Sequence, residues 1–210
     1  MADAADDHST VKEVDVTQLI LQDIQAGDYP PGTWLKQIDL EERYGRGRNE
    51  IRRALDRLAL KRVVQHVPNR GYHVYMRDGQ QWDDIAEIRI MLETGVVPKM
   101  IARATDENIQ ALRSLAVDFE KLTESGTLLE LYEANLRFHH ALVDLAGNQE
   151  LHTVIAELRQ RTSSAPVSQW KTRKRVDLSA REHFQMVDAL EARNADELKH
   201  HIECHIRQSG

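Results

Sequence analysis

The chain has 210 residues, of which 41% are hydrophobic and 30% are charged, with a formal net charge of −6. This length allows one large domain or two small ones, and the apolar share is sufficient for a folded core. No apolar run approaches the roughly 20 residues of a membrane span, the N-terminus does not resemble a signal peptide, and the single cysteine, Cys204, cannot form an internal disulfide. We therefore expect a cytoplasmic protein and not a membrane protein, a secreted disulfide scaffold or a mostly disordered chain.

The first part of the chain predicts three short helices followed by a hairpin. Asp15 is a suitable N-cap for a helix that ends at Gly27, and the two prolines of DYPPG then prevent helix. Further helices are predicted near 38–44 and 48–60. Two β-rich runs, VVQHV and YHVYM, are joined by a polar turn and predict a hairpin. This order of elements predicts a winged helix-turn-helix over residues 11–77, after a disordered tail at 1–10.

The predicted helix 48–60 lies in the most basic stretch of the chain. Between positions 43 and 62, only Glu50 and Asp56 oppose eight basic residues, namely Arg43, Arg46, Arg48, Arg52, Arg53, Arg57, Lys61 and Arg62. Arg48 and Arg52 are one turn apart, while Ile51 and Leu55 face another side. Guanidinium groups at a helix start suit guanine edges and phosphates, although a solvated basic face is the alternative for such a helix alone. The neighbouring turn and hairpin favour DNA binding.

These motifs resemble a known family over about residues 14–75. The stretch IQAGDYPPGTWLKQIDLEERYG, the Arg-x3-Arg-x-Ala-Leu-x2-Leu pattern that begins at Arg48, and VPNRGYHV are similar to the GntR-type winged helix of bacterial transcription regulators. The resemblance implies that DNA is contacted by Arg48 and Arg52 and by the wing residues Asn69, Arg70 and Gly71. Arg46, Asn49 and Arg53, which lie beside Arg48 and Arg52 in the sequence, are further predicted contacts. Three positions depart from the family: Arg46 replaces an apolar residue, Gly47 replaces Ser or Thr, and Arg62 replaces Gly. Arg46 is expected either to contact phosphate or to mark a repacked turn.

The remainder of the chain is predicted to be helical. After a linker at 78–81, a domain over 82–210 contains six predicted helices, near 82–103, 106–124, 128–146, 149–162, 177–193 and 195–208. Apolar stripes on such helices can be buried only against one another, which predicts an antiparallel bundle and a mainly α protein. Residues 163–176 are predicted to be irregular, with a solvated basic loop at Lys171–Arg175.

Three histidines of this helical region fall on inward-facing stripes. Asn135 and His139 are one turn apart on the apolar seam of the third predicted helix. His183 shares a stripe with Val187 and Leu190, and His205 shares one with Leu198 and Ile202. Three imidazoles and an amide that converge would suit a divalent metal. The alternative is that each histidine is a core residue with a backbone partner.

The same region resembles the FCD ligand-binding domain of FadR-type GntR regulators, in its six-helix, VanR-like branch. The resemblance is carried by NLRFHHALVDLAGNQEL and REHFQMVDALEARNADELKHHIECHI. It implies a divalent ion, Zn²⁺ first with Ni²⁺ or Mn²⁺ as alternatives, held by Asn135, His139, His183 and His205. Asn135 stands where the family usually has Asp, so one negative charge is missing. Metal binding is therefore expected to be weaker, or to depend on an anionic effector.

Arg89 is an unusual residue on the first predicted helix of this region, because it lies on the stripe of Ile85, Ile88, Leu92 and Val96. A buried guanidinium needs a carboxylate partner or a bound anion. Glu93, four residues later, is one candidate partner. A small organic acid effector is the other, because an Arg on this helix often faces the effector cavity in related FCD domains.

Together these features predict a ligand-responsive DNA-binding regulator, a repressor that acts as a homodimer on a palindromic operator. Two alternatives remain open. One is a metal-dependent hydrolase built on the three histidines, although no HExxH motif is present and Glu182 is only the nearest candidate for a general base. The other is a metalloregulator in which the ion itself is the signal.

Overall fold

The first domain is a winged helix-turn-helix, as predicted. The computed structural model of the protein describes residues 15–76, 79–162 and 173–207, so the predicted tail at 1–10 lies outside the described residues. The elements of this domain are α1 (Val16–Ala26), β1 (Trp34–Leu35), α2 (Gln37–Tyr44), α3 (Arg48–Leu60), β2 (Val64–Val67) and β3 (Gly71–Val74).

Local chemistry sets the ends of these helices. The Asp15 side chain accepts a hydrogen bond from the backbone N–H of Thr17 at 3.0 Å and caps α1. Gly27 ends the same helix in the left-handed conformation, with φ of 91°. The predicted bounds of α3 are confirmed, and Gly47 is its N-cap in an extended conformation.

The predicted hairpin is confirmed, and it belongs to a sheet of three strands in the order β1-β3-β2. Strands β2 and β3 are antiparallel, with Val67 opposite Gly71 at the turn. The third strand, β1, was not predicted. It has only two residues and pairs with β3 from far along the chain, with Trp34 opposite His73. Such a short strand is formed by long-range pairing and carries no periodicity of its own.

The helical domain follows. The described residues from 79 onward form α4 (Gly79–Gly95), α5 (Val97–Arg103), α6 (Asp106–Ser125), α7 (Leu128–Asp144), α8 (Gln149–Thr162), α9 (Arg173–Glu191) and α10 (Ala195–Arg207). Thr127 and Glu130 form a reciprocal capping box at the start of α7. Within the described ranges, no helix combines the length and the apolar character needed to cross a bilayer.

The prediction of six helices in this domain was wrong. The segment predicted as one helix over 82–103 is two, because the chain breaks at Val96 and α5 starts anew with Pro98 in its first turn. Proline lacks the N–H that a continuous helix would require. With seven helices among the described residues of this domain, the helix count does not support the six-helix branch.

Two predicted loops are partly helical. Residues 79–81, predicted as linker, form the first turn of α4. Helix α9 begins at Arg173, so residues 173–176 of the stretch predicted to be irregular are helical, while residues 163–172 lie outside the described residues. The Arg175 side chain is only 12% exposed and bonds to Glu182. Composition alone could not show this, because a helix start usually carries acidic residues, and this one carries basic residues that are equally typical of a solvated loop.

The described residues of the helical domain pack around a large apolar core, and a smaller buried cluster includes Phe119 and Leu131. The centre of the large core includes Phe138, Leu142, Met186 and Leu190, all buried. Helix α9 packs against α6 and α10, and α10 packs against α4. The stripe predicted for α4 is only partly correct, because Ile88 is exposed. The two domains also touch directly, since α1 packs against α7.

Candidate functional site

The predicted DNA-binding arginines lie on the outer face of α3. Ile51, Leu55 and Leu58 of this helix are fully buried. On the opposite side, the predicted contact residues Arg48, Asn49, Arg52 and Arg53 are exposed. A basic, solvent-facing helix that follows a short helix and a tight turn has the form of a recognition helix for the major groove.

The turn between α2 and α3 holds the unusual Arg46. Its guanidinium lies 3.7 Å from the Glu50 carboxylate, and its side chain is 23% exposed. Arg46 is therefore tied back to α3 and is less available to phosphate than its exposed neighbours are. Gly47 leaves no side chain at the N-cap, and the first turn of α3 carries Glu50, which suits the helix dipole.

The wing presents the second set of predicted contacts. Asn69 and Arg70 are exposed in the turn between β2 and β3, and Asn69 has a positive φ of 61° that asparagine tolerates well. The Arg70 guanidinium lies over the Trp34 ring, 4.7 Å from its centre. This cation–π contact orients the wing arginine. Trp34 was missed from the sequence, because nothing local connects it to the wing.

The three inward-facing histidines lie together in the helical domain. His139 of α7, His183 of α9 and His205 of α10 each offer a ring nitrogen, and these nitrogens lie within 4.8 Å of one another. The Nε2 of His139 is 2.9 Å from that of His205 and 3.3 Å from that of His183. Two nitrogens bound to one tetrahedral Zn²⁺ at 2.0–2.1 Å are about 3.3 Å apart, so this spacing fits a shared ion.

Burial keeps these imidazoles in the neutral form that binds metals. His139 is 1% exposed and His183 is fully buried. Burial, with a smaller effect of nearby positive charges such as Arg159, lowers the pKa of both rings well below the usual value. Burial also lowers the pKa of His205, although the adjacent Glu182 opposes this shift.

Glu182 orients His205. Its Oε2 lies 2.6 Å from Nδ1 of His205, which places the ring proton on Nδ1 and leaves the Nε2 lone pair directed at the other histidines. Arg175 donates to both carboxylate oxygens, at 3.0 and 2.8 Å. Burial raises the pKa of Glu182, but the hydrogen bonds from His205 and Arg175 outweigh this effect. The pKa therefore lies below its usual value, and the carboxylate stays charged. A general base would need a free carboxylate, so this geometry disfavours the hydrolase.

Asn135 provides the test of whether the site fits a metal. Its side-chain oxygen is buried and has no hydrogen-bond partner among the described residues, one helical turn before His139. A buried amide oxygen without a partner is costly. A metal ion would satisfy this oxygen, so the residues present fit a divalent ion. In the sequence, the position of Asn135 was indicated by the apolar face of α7, whose residues are spaced three and four positions apart.

Arg89 lies in a second buried cluster close to the histidines. Its Nε donates to Glu93 Oε1 at 2.9 Å, and Arg159 of α8 donates to Glu93 Oε2 at 2.5 Å. All three side chains are buried. Although burial raises the pKa of Glu93, the two arginines outweigh it and lower that pKa, while burial and Arg89 lower the pKa of Arg159 to about 10. Of the two candidate partners of Arg89, the structure shows Glu93.

Comparisons with known proteins agree with this architecture. Residues 12–74 match the family model "Bacterial regulatory proteins, gntR family", and residues 84–208 match that of the FCD domain. The chain is 28% identical over 182 residues to the Nta operon transcriptional regulator of Aminobacter aminovorans, covering 86% of this chain and 84% of that protein. It is 30% identical over 146 residues to the HTH-type transcriptional repressor GlaR of Escherichia coli, covering 68% and 66%.

A solved structure shares the fold over nearly the whole chain. The E. coli protein McbR/YncC superposes with a TM-score of 0.75 at 21% identity and covers 92% of each chain. The FCD match alone spans more than half of the residues, and the gntR match lies before it in the chain. The chain belongs to the GntR family of DNA-binding transcriptional regulators, with an N-terminal GntR helix-turn-helix domain and a C-terminal FCD domain.

Proposed function

We propose that the protein is a cytoplasmic, metal-dependent and ligand-responsive repressor. The observation that carries this proposal is the convergence of three buried imidazoles from α7, α9 and α10 on one point. Three neutral ring nitrogens and an amide oxygen form a four-ligand set that suits Zn²⁺, with Ni²⁺ or Mn²⁺ as alternatives. The ion would be held by His139, His183, His205 and Asn135.

A bound ion would supply a fixed positive charge and would fasten three helices of the bundle to one another. The chain's own residues prepare the site, since Glu182 fixes the His205 tautomer and burial keeps His139 and His183 neutral. All four proposed ligands are uncharged, so the charge of the ion would not be neutralised by them. An anion beside the ion is therefore favoured.

The proposed effector is a small carboxylate that Arg89 binds. In the structure, Arg89 and Arg159 share the carboxylate of Glu93. Two guanidiniums around one carboxylate leave the cluster with a net positive charge, which favours a second carboxylate. The effector can act on DNA binding only if its affinity differs between the DNA-competent and incompetent arrangements of the domains.

On DNA, we propose a homodimer that places two α3 helices in successive major grooves, about 34 Å apart, on a palindromic operator. Arg48, Asn49, Arg52 and Arg53 would contact the major groove. Asn69, Arg70 and Gly71 would contact the minor groove or the backbone. Arg46 would contact phosphate only by exchanging its Glu50 partner for it, so its contribution would be smaller than that of the exposed arginines. We propose repression, and not activation, because the chain is similar to GlaR, which is named a transcriptional repressor.

The test combines metal content with DNA binding. A duplex is first selected from a random pool with the wild-type protein, and its affinity is measured by fluorescence anisotropy with and without a chelator. We expect about one tightly bound ion per chain, and the affinity for the duplex should change after chelation. His139→Ala should bind no ion, and its affinity for the duplex should not respond to the chelator. His152→Ala, which changes a histidine outside the cluster, is the control.

A separate experiment tests the proposed effector. Arg89→Ala should abolish the response to small carboxylates and leave the affinity for DNA intact, and an unchanged response would reject this role. A pure metalloregulator would respond to the chelator at any effector concentration and would ignore carboxylates. Protein that binds no ion, even when purified from its own host, would contradict the metal-dependent function.

A further inference from the structure

A cleft between the two domains contains two adjoining cavities. The larger has a volume of about 510 Å³ and is lined by Leu60, Lys61 and Arg62 of the first domain and by Glu157, Gln160 and Arg161 of α8. The smaller has about 180 Å³ and includes Tyr75, Gln81, Asp84 and Ile85. Arg62 and Arg161 line both cavities. The larger volume is within the range of small-molecule sites.

The charge of this cleft favours an anion. Lys61, Arg62 and Arg161 bring three positive charges from two domains, against the two negative charges of Glu157 and Asp84. Asp84 already accepts a hydrogen bond from Gln80 at 2.9 Å. Within the part of the chain that the structure describes, neither Arg62 nor Arg161 forms an ion pair with a carboxylate. Both guanidiniums are therefore available to a ligand.

The backbone of Arg62 adds an independent observation. Its φ is 55°, in the left-handed region that a residue with a side chain rarely adopts. This conformation costs about 1–2 kcal/mol for an L-residue. Its backbone N–H bonds to the Ala59 carbonyl and that of Val63 to the Leu58 carbonyl, which hold the turn after α3. Strained residues of this kind cluster at functional sites, which makes Arg62 a candidate ligand residue.

The cleft also differs from the Arg89 cluster in one decisive respect. Arg89 and Arg159 are buried and already share Glu93, so the effector proposed above reaches them only when the helical domain opens. Arg62 is exposed and Arg161 is half-buried, so a ligand can reach both from solvent.

We propose that the cleft binds a small polyanion with at least two negative charges, held between Arg62 and Arg161. Phosphoryl and carboxylate groups share the required chemistry, because both accept paired N–H donors from a guanidinium. Since Arg62 follows α3 and Arg161 lies in the last turn of α8, the ligand connects the DNA-reading domain to the helical domain. Its binding alters DNA affinity wherever the two domains must reorient on the operator.

Isothermal titration calorimetry on the full chain tests this site. The probes are inorganic phosphate and tricarballylate, each titrated at constant ionic strength, and they distinguish phosphoryl from carboxylate ligands. We expect saturable binding at one site per chain for at least one probe, weakened at least tenfold in Arg62→Gly and in Arg161→Gln. Glycine suits the positive φ of position 62, so the first variant retains the fold. Arg181→Gln, an exposed arginine elsewhere on α9, should bind like wild type.

Three results would overturn the proposal. The first is the absence of saturable binding for both probes. The second is equal binding by wild type, Arg62→Gly and Arg161→Gln, or an equal loss in Arg181→Gln. The third is a tenfold loss of affinity for the selected duplex in Arg161→Gln without any ligand, which would make the cleft a DNA contact. The titration needs neither DNA nor a metal ion, so its outcome is independent of the proposed function.

Discussion

Gln25 at the end of α1 donates a hydrogen bond from Nε2 to the hydroxyl oxygen of Tyr132 on α7, at 3.2 Å, and this bond joins the two domains. Tyr132 is only 3% exposed. It also interacts electrostatically with Arg159, the partner of Glu93. His139 lies two turns further along the same helix. A single side chain thus contacts the DNA-binding domain and lies on the helix that carries a proposed metal ligand.

Tyr132→Phe removes the hydroxyl of this contact and preserves the ring. A neutral hydrogen bond contributes about 0.5–1.5 kcal/mol, so the effect of metal on affinity for the selected duplex should shrink by about two- to tenfold. Anisotropy titrations with and without chelator measure this effect. Tyr44→Phe is the matched control, because its hydroxyl bonds to Asp23 inside the first domain. If the chelator changes the duplex affinity of Tyr132→Phe as much as that of wild type, the Gln25–Tyr132 contact does not couple the metal site to DNA binding.

Glu182→Gln tests the orientation of His205. Carboxylates that hold a metal-binding histidine typically contribute 10- to 100-fold to metal affinity, so Zn²⁺ affinity should fall by about this factor. Competition with a chromophoric chelator measures it. Glu203→Gln, on the exposed side of α10, should leave the affinity unchanged. Thermal unfolding of the metal-free proteins is followed in parallel. An unchanged unfolding temperature would show that the lower Zn²⁺ affinity comes from the orientation of His205 and not from a less stable fold.

Much of this architecture could be predicted from local patterns. Helix α3 has the predicted bounds, because apolar spacing and end residues agree there. The histidines were placed on inward stripes by their spacing to apolar neighbours such as Val187 and Ile202. In each case the information lies within one or two helical turns, where periodicity is a reliable guide.

The rest depends on contacts that no local pattern encodes. Gln25 and Tyr132 are 107 positions apart, and β1 exists only because β3 pairs with it. Arg175 and Glu182 are two turns apart on α9, but the basic, proline-containing segment before them is typical of a loop. The Arg89 alternatives stayed open because Arg159 approaches Glu93 from another helix.

Glu93→Gln should be strongly destabilising. It would remove the carboxylate that the buried guanidiniums of Arg89 and Arg159 share, and breaking a buried ion pair costs about 3–5 kcal/mol. Urea unfolding of the metal-free protein measures the change in free energy. Glu124→Gln, an exposed residue of α6, is the control and should change stability by less than about 0.5 kcal/mol. A loss of less than 1 kcal/mol in Glu93→Gln would mean that the buried cluster rearranges without cost.

Arg52→Gln tests the proposed recognition face of α3. The guanidinium is exposed beside the helix start, and loss of a base contact costs about 1–3 kcal/mol, so affinity for the selected duplex should fall by roughly 5- to 150-fold. Arg57→Gln is the matched control on the same helix, because Asp15 already holds its guanidinium at 3.0 Å. Wild-type affinity should also decline steeply with salt, since each phosphate contact releases counterions. Equal losses in the two variants, or an affinity that does not change with salt, would place the DNA-reading surface elsewhere on the domain.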